Sequence, residues 1–170
     1  MLDGHAWAML LRTAYLAVHR AADAVMARHG LTADQFVLLT LLAERDGVMQ
    51  QDLVGRSGSD PNTVRAMLVL LERRGLVRRR AHADDGRARS VELTARGRHV
   101  QAELWKTSDE LRGRITSAIP AGARAAIERA LRNLALVDDP EAGRAVSRAP
   151  SRGGGLKRRK TGHNTAPTVR

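Results

Sequence analysis

The chain has 170 residues, no cysteine and a formal net charge of +11. Without thiols there is no disulfide framework, thiolate redox centre or Cys-ligated zinc, in keeping with a reducing compartment. No apolar run reaches the length of a membrane span and no basic segment with an apolar core opens the sequence, so a soluble, cytoplasmic protein is expected, and the excess of cations favours an anionic partner.

Residues 5–28 read as one long, Ala-rich helix with a broad apolar stripe of Leu10, Leu11, Ala14, Tyr15, Val18, Ala21, Ala22 and Val25, ended by Gly30. Thr32-Ala33-Asp34-Gln35 is a capping box for a second helix, bearing Phe36, Val37, Leu39, Thr40 and Leu42 and ending near Gly47. Gln50 to Arg56 forms a short third helix whose Leu53 and Val54 face its partner, although Met49 stands where a Ser or Thr cap is expected. Gly58 then supplies the positive φ of a tight interhelix turn.

The fourth helix is the best marked. Asp60 caps it and Pro61 gives up a donor that has no partner in a first turn. Val64, Met67, Leu68 and Leu71 recur at i, i+3, i+4 and i+7 and must be buried. The opposite face therefore carries Asn62, Ala66, Val69 and Arg73, with Thr63, Arg65 and Leu70 on its flanks. Gly75 closes the helix, with Arg73 and Arg74 where cations suit the dipole.

A hairpin follows. Leu76 and Val77 lead into Arg78-Arg79-Arg80, Asp84-Asp85-Gly86 supplies turn chemistry, and Ser90-Val91-Glu92-Leu93 returns with polar/apolar alternation. Arg78, Arg79, Arg80, Arg87 and Arg89 crowd this ribbon, a density of charge that a polyanion would relieve. Thr94 caps a helix expected to run to about Ala118, with Val100, Leu104, Leu111, Ile115 and Ile119 on it, and Pro120 breaks it. A last helix, roughly Ala121 to Leu136, places Ala123, Ile127, Ala130, Leu131 and Leu134 on one side.

Residues 138–170 are rich in Pro, Gly, Arg and Ser, show no apolar period and hold eight Lys/Arg against three Asp/Glu, including Lys157-Arg158-Arg159-Lys160. They read as a basic, disordered tail. The expected organisation is a domain over 1–137, with the reader at 31–97, and a tail over 138–170. The fold class is mainly α with a small two-stranded β wing: a winged helix-turn-helix flanked by long N- and C-terminal dimerisation helices. The terminal apolar stripes exceed what the reading domain can cover, which implies a homodimer.

No converging acid, base and nucleophile can be assembled, and His5, His19, His29, His82, His99 and His163 are scattered without metal-ligand spacing. No phosphate-cradling loop is present, since Gly153 to Gly155 precede no helix. The expectation is a protein that is not an enzyme and takes neither cofactor nor metal. Two rivals to sequence-specific DNA binding stay open: a winged-helix protein–protein module, and an architectural DNA binder that relies on the basic tail.

Asp85-Gly86-Arg87 and Leu93-Thr94-Ala95-Arg96-Gly97, with Leu31-Thr32-Ala33-Asp34-Gln35-Phe36 and Leu71-Glu72-Arg73-Arg74-Gly75-Leu76-Val77, make the chain resemble the multiple-antibiotic-resistance regulator (MarR) family of bacterial transcription factors over about residues 5–136. The resemblance implies a ligand-responsive homodimeric repressor on a pseudo-palindromic duplex operator. It implies that Arg87 enters the minor groove with Asp85 holding it, and that the terminal helices pair. The open face of the fourth helix, the ribbon's charge and the resemblance together give the expected DNA-binding set: Asn62, Thr63, Arg65, Ala66, Val69, Arg73, Arg78, Arg79, Arg80, Asp85, Arg87 and Arg89. The family often binds small aromatic effectors between its dimer helices and reading domain, where Trp7, Met9, Arg12, Tyr15, Phe36 and Trp105 fall here. The fourth helix departs from the family's pattern, with Arg65-Ala66 where Thr-Arg is frequent and apolar Val69 and Leu70 where polar residues are usual.

Overall fold

A computed structural model describes residues 1–45, 47–81 and 89–137. The expected wing tip, with Asp85 and Arg87, and the expected tail from 138 onward lie outside the described residues.

The first helix, α1 (Gly4–Ala27), starts at Asp3, whose carboxylate accepts the Ala6 N–H at 2.8 Å. The capping box of α2 (Ala33–Glu44) closes in both directions: Gln35 N–H donates to Thr32 Oγ1 at 3.1 Å, and Thr32 N–H donates to Gln35 Oε1 at 3.2 Å. A short strand, β1 (Val48–Met49), runs directly into α3 (Gln50–Ser57). Gly58, at φ +66, turns the chain toward α4 (Pro61–Arg73). The hairpin β2 (Val77–Ala81) and β3 (Arg89–Leu93) is antiparallel, with Val77 opposite Leu93 and Arg79 opposite Val91.

The fold class is mainly helical with a small antiparallel sheet, as expected, but the sheet has a third member. β1 pairs with β3, Val48 against Val91 and Met49 against Ser90, giving the order β1-β3-β2. Two residues are too few for an alternation to show, so this strand has no signature of its own in the sequence.

The single helix expected from Thr94 to Ala118 is two, α5 (Ala95–Thr107) and α6 (Asp109–Ala118), with Ser108 between them at φ −85 and ψ 2. The cause is side-chain competition for backbone carbonyls. Thr107 Oγ1 donates to Glu103 O at 2.9 Å and Ser108 Oγ to Trp105 O at 3.0 Å. Arg112 also donates to the Trp105 carbonyl, and to Ser108 Oγ at 2.5 Å.

The chain divides into two compact units, Met1–Ile119 and the segment from Pro120 onward. The second opens with a 3-10 turn (Ala121–Ala123) and continues as α7 (Arg124–Leu134), rather than as one helix from Ala121. Its Ile127 is half-buried, and Leu131 and Leu134 are exposed.

The core of the first unit gathers Leu38, Leu39 and Leu42 of α2, Leu53 of α3, Val64, Leu68 and Leu71 of α4, Val91 and Leu93 of β3 and Leu104 of α5, all fully buried. Thr94 and Gly97 seat α5 against the end of α4. Thr94 N–H donates to Leu76 O at 3.1 Å, its hydroxyl donates to Gly75 O at 2.7 Å, and Thr94 Oγ1 accepts the Gly97 N–H at 2.9 Å. Gly97 is buried so tightly that a Cβ would overlap the Leu76 carbonyl oxygen and lie 2.9 Å from the carbonyl carbon.

Gly97→Ala is therefore expected to lower unfolding free energy by about 1–3 kcal/mol, because the neighbour is backbone and has nowhere to rotate. Gly113→Ala, on α6 with open space where its Cβ would stand, is expected to raise it by about 0.5–1 kcal/mol. Urea unfolding of the two variants beside the parent measures both.

Candidate nucleic-acid interface

The start of α4 is fixed by one carboxylate. Asp60 Oδ1 accepts the N–H groups of Asn62 and Thr63, each at 3.0 Å, and Oδ2 accepts the Thr63 hydroxyl. Thr63, through its hydroxyl and then its N–H, with Asn62 N–H adding to them, holds the Asp60 carboxyl below the usual carboxylate range. The cap is therefore present at neutral pH and is lost only as pH falls through that lowered value. Because the Thr63 O–H is committed to Asp60, its oxygen has only acceptor capacity left for a base edge.

One side of α4 is sealed: Val64, Leu68 and Leu71 are 0% exposed and Met67 is 8% exposed. The other side is open, as its period requires. Asn62, Thr63, Arg65, Ala66 and Arg73 are exposed and Val69 is half-buried. Among the described residues neither Arg65 nor Arg73 has an ion-pair partner.

The ribbon separates its arginines by strand parity. Arg78 and Arg80 lie on one face with Glu92, whose Oε1 is 3.8 Å from Arg78 and 3.1 Å from Arg80. One carboxylate shared between two exposed guanidiniums leaves that face with net positive charge. Arg79 points to the other face, with Val77, and meets the last turn of α4. Its Nε donates to Glu72 Oε2 at 2.8 Å and its backbone N–H donates to Glu72 Oε1 at 3.2 Å. The structure thus turns Arg79 toward Glu72. The alternation that marks Val77 and Val91 as inward already places Arg79 on the inward side. Arg89 opens β3 opposite Ala81.

Arg74, assigned by sequence to the helix dipole, reaches the Gly30 carbonyl and ties the end of α4 to the corner between α1 and α2. Arg56 pairs with Glu44 and ties α3 to α2. Neither contact is local, so no spacing in the sequence announces it.

The residues expected around an effector are only partly assembled. Phe36 and Trp105 lie with ring centroids 6.4 Å apart, tilted by 45°. The Arg112 guanidinium sits 4.0 Å above the Trp105 ring, a cation–π partner that sequence reading did not find. Trp105 also lines an open groove of about 430 Å³ between α2 and α5, with Thr40, Glu44, Gln101 and Lys106. Tyr15 lies 5.5 Å from the His19 ring instead, and Trp7, Met9 and Arg12 are exposed on α1.

A capped reading helix, an interhelix turn at Gly58 and an arginine-bearing ribbon on a three-stranded sheet define a winged helix-turn-helix protein. Residues 31–88 match the MarR family. The transcriptional regulator HosA of Escherichia coli O127:H6 is 37% identical over 81 residues, which are 48% of this chain and 60% of HosA. Less than two thirds of that curated relative is thus spanned. The repressor CouR bound to a 23-mer DNA duplex is similar over 74% of this chain and 89% of CouR, at 30% identity and a TM-score of 0.66. CouR from Rhodococcus jostii RHA1 bound to p-coumaroyl-CoA is similar over 75% of this chain and 90% of that one, at 26% identity and a TM-score of 0.68. The chain belongs to the MarR family.

Removing either side of the bond between helix and ribbon tests its weight. Arg79→Ala and Glu72→Ala are each expected to lower stability by about 1–2 kcal/mol, with a double-mutant coupling near 1 kcal/mol, because the fork binds a half-buried carboxylate. Chemical denaturation of the four proteins of the cycle gives the coupling, and strictly additive losses would show the pair to be incidental.

Proposed function

We propose that this protein is a homodimeric transcriptional repressor that reads a pseudo-palindromic operator and is released from it by a small aromatic effector. The observation that carries the reading is the open side of α4: Asn62, Thr63, Arg65 and Arg73 are exposed on a helix whose other side is sealed into the core. Exposed Arg78 and Arg80 stand on the adjoining ribbon. A helix of this width fits the major groove, and the ribbon beside it reaches the neighbouring backbone and minor groove. Arg65 can fork onto a guanine, Asn62 onto an adenine, and Arg78, Arg80 and Arg89 supply phosphate contacts. Arg87 is proposed to enter the minor groove and Asp85 to hold it, as the family resemblance implies.

Two exposed apolar surfaces support the dimer. Trp7, Met9, Leu10, Tyr15 and Val18 are 41–61% exposed on α1, and Leu131 and Leu134 are 49% and 47% exposed on α7. A monomer gains nothing from leaving such rows in water. The effector reading is supported by the Phe36–Trp105 pair and the groove beside it, and by the p-coumaroyl-CoA bound in the similar CouR structure. Among the described residues no helix is long and apolar enough to cross a membrane.

The test is binding to sheared genomic fragments at two salt concentrations, with the dimer verified by light scattering. A preferred fragment carrying an inverted repeat with half-sites about 34–36 Å apart is expected, with log affinity falling against log salt at about −0.9 per phosphate contact. Arg87→Ala is expected to cost about 1–3 kcal/mol of operator binding at fixed salt. Arg65→Ala should erode discrimination between operator and random duplex more than it weakens random-duplex binding. Binding without any preferred fragment would favour an architectural role instead, and no DNA binding at all would favour a protein partner.

A further inference from the structure

Helix α4 is apolar on two sides, and only one of them is used by the fold. Val64, Met67, Leu68 and Leu71 fill the core. Ala66, Val69 and Leu70 follow one another at i, i+3 and i+4 on the outer surface, where Ala66 is exposed, Val69 half-buried and Leu70 47% exposed. The folded chain does not need this second patch, yet it lies on the turn of helix that the proposed function directs at the bases.

The surroundings of the patch select what can cover it. Exposed Arg65 and Arg73 stand on the same helix, and exposed Arg78 and Arg80 on the adjoining ribbon, so a partner must bring negative charge around an apolar centre. Duplex DNA has that arrangement in its major groove, where phosphates flank base edges and the apolar group on offer is the thymine C5-methyl. Purine edges present N7 and O6 or N6 instead, and setting Val or Leu against them removes water from a polar atom without replacing its hydrogen bond. From Ala66 to Leu70 the helix rises about 6 Å, which spans about two base-pair steps.

We propose that Ala66, Val69 and Leu70 read the methyl groups of neighbouring thymines in each half-site, with Arg65 taking a guanine beside them, so that the operator is selected by methyl burial as well as by hydrogen bonds. This rests on the DNA-binding reading above and assigns the chemistry of its selectivity.

Replacing thymine by deoxyuridine deletes the methyl and leaves the base-pair edge otherwise unchanged. The full-length protein would first select its preferred duplex from a random pool. Each thymine of a half-site would then be exchanged singly for deoxyuridine, and affinity measured at fixed salt for the parent, Leu70→Ala and Val69→Thr. All three proteins would be compared by thermal unfolding to establish that they are equally folded.

One or two deoxyuridine positions per half-site are expected to weaken the parent by about fourfold each, the worth of one buried methylene. Those penalties should shrink toward one in Leu70→Ala or Val69→Thr. A selected operator that tolerates deoxyuridine at every position would overturn the proposal while leaving sequence-specific DNA binding standing. So would penalties of equal size in parent and variants, because the methyls would then act through duplex stiffness. Unchanged operator affinity in both variants would likewise remove the patch from the DNA surface and leave it to a protein partner. Failure to select any duplex would overturn the DNA-binding reading itself.

Discussion

The ribbon leaves the body of the protein at Gly75–Leu76 and returns at Thr94, and everything it can do depends on those two points being held together. Thr94 does the holding, by donating to the carbonyls of Gly75 and Leu76 and receiving the Gly97 N–H. Gly97 lets the first turn of α5 come close enough for these bonds to form. The Leu76 carbonyl lies just past the end of α4, so the base of the ribbon is referenced to the reading helix and not to a loop. The Glu72–Arg79 pair fixes the ribbon's rotation against the same helix. Side chains carried on α4 and on the ribbon thereby share one rigid support.

Several parts of this arrangement were legible in the residues. The Thr32 and Asp60 caps, the turn glycine at 58 and the four-residue stripe of α4 are local signals, and the structure realises each of them. The open face of α4 followed from its sealed one by geometry alone. Arg79 was legible too, since it shares strand parity with Val77, but a run of three arginines invites reading as one block of charge and hides the alternation within it.

Other parts could not be read because they join residues distant in the chain. Arg74 on the Gly30 carbonyl spans 44 positions, and Arg56 on Glu44 spans 12. β1 exists because β3 offers an edge to it. The break at Ser108 was hidden differently. Its causes, two adjacent hydroxyl residues and an arginine four positions on, are present in the sequence, but apolar spacing continues across it and periodicity alone reads one helix. The expected effector residues scattered for a related reason: helical spacing says which face a side chain takes, not which neighbour that face meets, and among the described residues Phe36 and Trp105 are the ring pair that forms within that set.

The joint at Ser108 separates α5, which is anchored in the core through Leu104, from α6, which has no fully buried residue. A proline kink is built into the chain and cannot be graded. Here the break is held by the hydroxyl of the buried Ser108 and by Arg112, side chains that a substitution can change. The junction can therefore be altered through Arg112 while Leu104 keeps α5 seated in the core.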